Sequence, residues 1–148
     1  MLIPTLQHLF ERDLNKLKLE INTYQNESNL WVLNGEISNS AGNLSLHLIG
    51  NLNSYIGAVL GKTDYVRNRE LEFSLKNVAR EEIISILDAT IILVKKVLSQ
   101  LNEADLNAEF PILVFEKPTT TGFLLIHLTT HLAYHLGQIN YHRRLLDK

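Results

Sequence analysis

Three histidines, His127, His131 and His135, recur every fourth residue in the segment LLIHLTTHLAYHLGQINYHRRL, which also carries His142 and so holds four of the six histidines of this 148-residue chain. Four-residue spacing stacks side chains on one face of a helix. Neutral imidazole is a common ligand for transition metals, and two imidazoles one turn apart can grip the same ion. With about 100° per residue, His127, His131, His142 and His135 fall within an arc of about 80°, flanking the apolar stripe of Leu125, Leu128, Leu132, Leu136 and Ile139. A turn rises about 5.4 Å, so His131 and His135 can share an ion, whereas His142 lies about 10 Å beyond His135. His127–His131 is an equally spaced pair on geometry alone. A helical pair usually needs a third ligand from elsewhere. His47 is the best candidate, because it borders the apolar arc of its own helix in the same way, and Asn51 lies one turn later near that edge. His8 has no such company and reads as a surface residue. His142, beside Arg143 and Arg144, reads as a solvated histidine at a helix end, favourable near the C-terminal dipole.

Four segments with helical periodicity must position these side chains. About Pro4 to Tyr24 places Leu6, Phe10, Leu14, Leu17 and Ile21 on one stripe. About Asn43 to Leu60 carries Leu44, Leu48, Leu52, Ile56 and Val59, with Gly61 as C-cap. About Val78 to Leu101 aligns Ile83, Leu87, Ile91, Val94 and Leu98 behind Asn77 as N-cap. The fourth segment opens near Pro118–Thr121 and runs to Leu146. Each stripe needs partners to bury it, so the expected fold is an all-α four-helix bundle, one domain over residues 1–148. Its connectors, Asn26–Gly42, Gly61–Lys76 and Asn102–Thr121, are long for a simple bundle. The short apolar run Ile112–Phe115 reads as a brief strand or a packed loop.

Composition narrows the chemistry. There are no cysteines, which excludes disulfides and thiolate metal sites and leaves nitrogen and oxygen as ligands. A net charge of −2, from 14 basic and 16 acidic residues, offers no global attraction to nucleic acid or to an anionic membrane. The N-terminus meets charge at Glu11, too early for a secretory signal, and the apolar stretch Ile83–Val94 is broken by Ser85 and Asp88. A cytoplasmic location is the expectation. No general base stands out: Glu36, Asp64, Glu70 and Glu72 sit in polar connectors where carboxylates are usually solvated. Arg67 and Arg69 read first as surface charges or loop-anchoring ion pairs, and only second as a clamp for an anion. Ser45 and Ser54 have no triad partners, and the glycines lack phosphate-loop spacing.

HLAYHLGQINYHRRL resembles the last-helix signature of the DinB-like (DinB/YfiT) superfamily, and NSAGNLSLHLIGNLNSYI resembles its second-helix motif. YVRNRELEF, residues Tyr65–Phe73, is similar to the connector of one uncharacterised branch, so the resemblance covers nearly the whole chain. It implies a four-helix bundle with a three-histidine site for a divalent metal ion (zinc, nickel or iron), in which His47, His131 and His135 match the ligands. His127 then becomes a pocket residue, and Asn51, Tyr134 and Gln138 are candidates to orient the imidazoles. The implied activity is that of a metal-dependent transferase or hydrolase acting on a small molecule, with a low-molecular-weight thiol as a family co-substrate. The alternative is a non-catalytic metal-binding or stress-related helical dimer. Homodimerisation is expected from the resemblance. A third reading is a helical dimerisation module whose histidines bind nothing.

Overall fold

The computed structural model describes residues 2–148, and among them every regular element is helical. Four long helices follow the four stripes. Helix α1 spans Leu2–Thr23, α2 spans Ala41–Leu52 and widens into a π-helical continuation over Asn53–Leu60, α4 spans Arg80–Ser99, and α6 spans Thr121–Leu146. Two short helices, α3 (Arg69–Ser74) and α5 (Glu103–Asn107), and a 3₁₀ turn over Glu27–Trp31 punctuate the connectors. Helix α1 packs on α4 and α6, and α2 packs on the same two, so the four long helices close a ring around one core. No helix of the described residues is long and apolar enough to cross a membrane.

The stripes go where burial drives them. Leu6, Phe10, Leu14, Leu17 and Ile21 of α1 are buried together with Leu44, Leu48, Leu52 and Ile56 of α2 and its continuation, Ile83, Leu87, Val94 and Leu98 of α4, and Leu125, Leu128, Leu132 and Ile139 of α6. Removing a Leu side chain of this kind from water contributes about 2 kcal/mol. One position on α4 differs from the expected stripe. Thr90 is buried while Ile91 is only half-buried; the threonine hydroxyl donates to the Ile86 carbonyl at 2.8 Å and accepts from Asn53 Nδ2 at 2.9 Å, which satisfies its polarity and ties α4 to the start of the π-helical stretch.

Local signals set the helix ends. Ser40 caps α2 by accepting from the Asn43 backbone N–H at 3.2 Å, and Thr120 caps α6 by accepting from Phe123 at 3.1 Å. Helix α5 carries a capping box between Asn102 and Asp105. Asn77 is not the cap of α4: it takes a left-handed conformation (φ 58°), and Ala79 occupies the cap position without a side-chain bond. Gly61 does end the second helix, but with φ −84°, and the left-handed residue is Lys62 at φ 56°. Glycine at 61 answers a close approach instead, since a Cβ there would stand 2.6 Å from Val97 Cγ2. Between α5 and α6 a single antiparallel bridge joins Glu109 to Thr120, and Ile112–Phe115 is loop, with Ile112 and Leu113 exposed.

Candidate metal centre

The packing of α2 on α6 brings His47 to the His131–His135 pair. The Nε2 atoms of His47 and His135 lie 3.2 Å and 3.1 Å from His131 Nε2, and one ligating nitrogen from each of the three residues is within 4.8 Å of the others. The rings meet edge-on, with interplanar angles of 80° to 89° and centroids 4.5–5.3 Å apart, so their nitrogen edges converge instead of stacking. Two nitrogens bound to one tetrahedral ion at about 2.0–2.1 Å stand about 3.3 Å apart, close to the contacts seen here.

Partners on the far side of two of the three rings decide which nitrogen faces inward. His47 Nδ1 lies 3.0 Å from Glu72 Oε1. An ionised carboxylate only accepts, so Nδ1 carries the proton and Nε2 turns a lone pair to the cluster. His135 Nδ1 donates in the same way to Gln138 Oε1 at 2.7 Å. His131 Nδ1 is buried with no hydrogen-bond partner. Burial, reinforced by the neighbouring imidazoles His135 and His47, lowers the pKa of His131 to about 4. Burial also lowers that of His47, against the opposing pull of Glu72. Both rings are therefore neutral near pH 7, as a metal ligand must be. The donor set, its convergence and the neutrality of His47 and His131 fit a divalent ion.

The carboxylate behind His47 was not legible as a site residue. Glu72 is not solvated: it is buried on α3, and Arg67 grips both its oxygens, Nε to Oε2 and Nη2 to Oε1, each at 2.9 Å. Of the two readings of Arg67, it is the loop-anchoring ion pair that the structure contains, with the guanidinium 5.8 Å from the Tyr55 ring centroid. Arg69, Asp64 and Glu70 are exposed. Helix α3 is pinned to α2 by Asn43, whose Nδ2 donates to the carbonyls of Glu72 and Leu75, both at 2.9 Å.

The other candidates divide. Gln138 bonds His135, and Tyr134 packs beside the same ring at 5.3 Å while remaining largely exposed. His127 is half-buried, lies near-parallel to His131 at 6.2 Å and meets Phe115 edge-on at 4.9 Å. Asn51 is buried, and its Oδ1 has no hydrogen-bond partner. His8 is exposed, as expected. His142 corrects the expectation of a solvated helix end: it is buried, its Nε2 donates to the Val32 carbonyl at 2.8 Å, and its Nδ1 accepts from the Tyr24 hydroxyl at 2.7 Å. The signal that could have found it is its place on the same edge of the apolar stripe as His131 and His135, two turns past His135 on a helix that runs to Leu146. Beside His135 and Gln138 opens a cleft of about 560 Å³ whose walls include Leu44, Tyr141, Leu145 and the exposed Glu36.

Comparison with known proteins places the chain. A family described as "Protein of unknown function (DUF1572)" matches residues 3–148, and the chain belongs to it. Among solved structures, a crystal structure of a conserved protein from Enterococcus faecalis is similar in fold, with a TM-score of 0.73 and 19% identity over 97% of this chain and 95% of that one. No curated protein matches.

Proposed function

We propose that this member of the DUF1572 family is a DinB-like protein in which His47, His131 and His135 hold one divalent ion (zinc, nickel or iron) and that it works as a metal-dependent transferase or hydrolase on a small molecule. The observation that carries this reading is the convergence of three imidazole nitrogens from two helices, at 3.1 and 3.2 Å, with two of the three rings held in the tautomer that turns Nε2 inward. Three protein nitrogens leave a coordination position for a water or a substrate, as catalytic sites do and closed structural sites do not. When bound, such an ion supplies a Lewis acid that makes a water or a thiol acidic near neutral pH.

The chain's own residues contribute placement. Gln138 and Glu72 orient two of the ligands, and the cleft beside His135 supplies an apolar bed of Leu44, Tyr141 and Leu145 for the body of a ligand. A low-molecular-weight thiol fits this reading as co-substrate. A second reading, a non-catalytic metal-binding protein, is favoured by one feature: the carboxylate nearest the cluster, Glu72, is already engaged by Arg67 and His47 and is not free to act as a base.

Elemental analysis of protein purified without a histidine tag tests the shared core of both readings. One divalent ion per chain is expected; a chain that is empty and also ignores added Zn²⁺ and Ni²⁺ contradicts them. A screen of the loaded protein against thiols paired with electrophiles then separates enzyme from binder, turnover that disappears on metal removal being the result expected of the enzyme.

A further inference from the structure

We infer that Glu72 is a positioning residue for His47, clamped by Arg67 in a notch that α2 leaves open only because residue 50 is glycine, and that this clasp sets how tightly the histidine cluster holds a divalent ion. The inference rests on the metal-binding reading above and extends it to residues outside the ligand set.

Three observations support it independently. The first is the bond itself: Glu72 Oε1 sits 3.0 Å from His47 Nδ1, so the carboxylate fixes both the tautomer and the rotation of the ring whose other nitrogen faces His131. A carboxylate behind a ligating imidazole also makes that imidazole a stronger donor. The second is the clamp. Arg67 closes on both carboxylate oxygens at 2.9 Å, and the two side chains are 16% and 6% exposed, so the carboxylate has one position instead of several. The third is the notch. Gly50 lies three residues after His47, and a Cβ there would stand 1.9 Å from Glu72 Oε2 and 2.6 Å from Cδ, so any other residue would displace the carboxylate. Asn43 holds the α3 backbone in register with these groups through its bonds to the Glu72 and Leu75 carbonyls.

The three candidate ligands are thus unequally supported. His47 has an anionic partner that is buried and clamped, His135 has a neutral amide on an exposed side chain, and His131 has none. The clasp makes His47, the ligand that comes from the other helix, the rigid reference against which the α6 pair closes.

The test is zinc affinity of the untagged full chain by competition with a chromogenic chelator, with thermal melting as a check on folding. Glu72→Gln keeps the shape of the side chain and should weaken zinc binding about 10–100-fold without changing its stoichiometry. Gly50→Ala removes no polar group and should weaken binding in the same direction. In a Glu72→Ala background, Gly50→Ala should have no further effect, because the atoms it collides with are gone. Zinc binding by Glu72→Gln as tight as that of the unaltered chain overturns the inference, as does a Gly50→Ala effect that persists in full without Glu72. A readout that needs no metal separates this from the metal reading. Nitrogen NMR of the metal-free chain should find His47 in its Nδ1–H tautomer and find that preference diminished by Glu72→Gln. If the unaltered chain binds no zinc, the metal reading falls, and an unchanged His47 tautomer in Glu72→Gln removes the positioning role as well.

Discussion

Two sets of histidines on one helix meet opposite fates. At the middle of α6, His131 and His135 turn Nε2 toward each other and toward His47, and among the described residues no other group bonds those atoms. Two turns on, His142 is more deeply buried, yet both its nitrogens are spoken for, one by the Tyr24 hydroxyl and one by the Val32 carbonyl. The same side chain on the same helix is in one place a set of converging lone pairs and in the other a hydrogen-bonded rivet between α6, the end of α1 and the connector that follows. Burial alone does not decide between them, since the more deeply buried ring is the one that is fully hydrogen-bonded. What distinguishes them is whether the inward nitrogen meets a partner or another lone pair, and that is a property of the neighbouring elements.

The largest effect that could break this contrast is loss of a central histidine. His131→Ala should abolish stoichiometric zinc binding, whereas His142→Ala and His8→Ala should leave it intact; elemental analysis after zinc loading and desalting checks all three, and equal losses would dissolve the distinction. The reverse asymmetry is expected in stability. His142→Ala strands a buried hydroxyl and a carbonyl and should cost about 1–3 kcal/mol in urea unfolding of the metal-free chain, with zinc affinity unchanged. Tyr24→Phe removes one bond of the same rivet and should cost about 1 kcal/mol.

Acidity sharpens the comparison further. Burial holds the pKa of His131 near 4 and lowers that of His47, both below the value of about 6.5 that an unfolded chain would show. Where the unfolded chain binds more protons than the folded one, stability falls as pH falls, so the contribution of His131 is present above about pH 6.5 and is lost as pH falls toward 4, and that of His47 is lost in the same direction. The metal-free chain should therefore lose stability on acidification through that window, and His131→Ala should flatten the dependence, measured by urea midpoints across pH. An unchanged slope in that variant would mean that other groups carry it.

Much of this was legible in the residues themselves. The stripes of α1, α2, α4 and α6 reflect burial, which a period of 3.6 reports directly, and the spacing of His131 and His135 beside an apolar face reports their proximity. What was not legible depends on contacts between segments far apart in the chain. Glu72 looks like any acidic loop residue until α3 forms and Arg67 folds back over it, and the only local hint was the glycine three residues after His47. His142 looked solvated because its partners, Tyr24 and Val32, lie more than a hundred residues earlier. Asn77 looked like a cap, but the chain turns through a left-handed residue there, and the cap position of α4 falls two residues later, at Ala79. The buried Thr90 beside the half-buried Ile91 has its hydroxyl satisfied by the Ile86 carbonyl and by Asn53, the second of which lies 37 residues away.

The central claim is that helices α2 and α6 together build one metal centre, and metal content with and without His47 tests it most directly. Untagged chain loaded with zinc and desalted should retain one ion per molecule, and the His47→Ala chain, folded by its melting curve, should retain none. Full zinc content in His47→Ala, or none in the unaltered chain, would contradict the account.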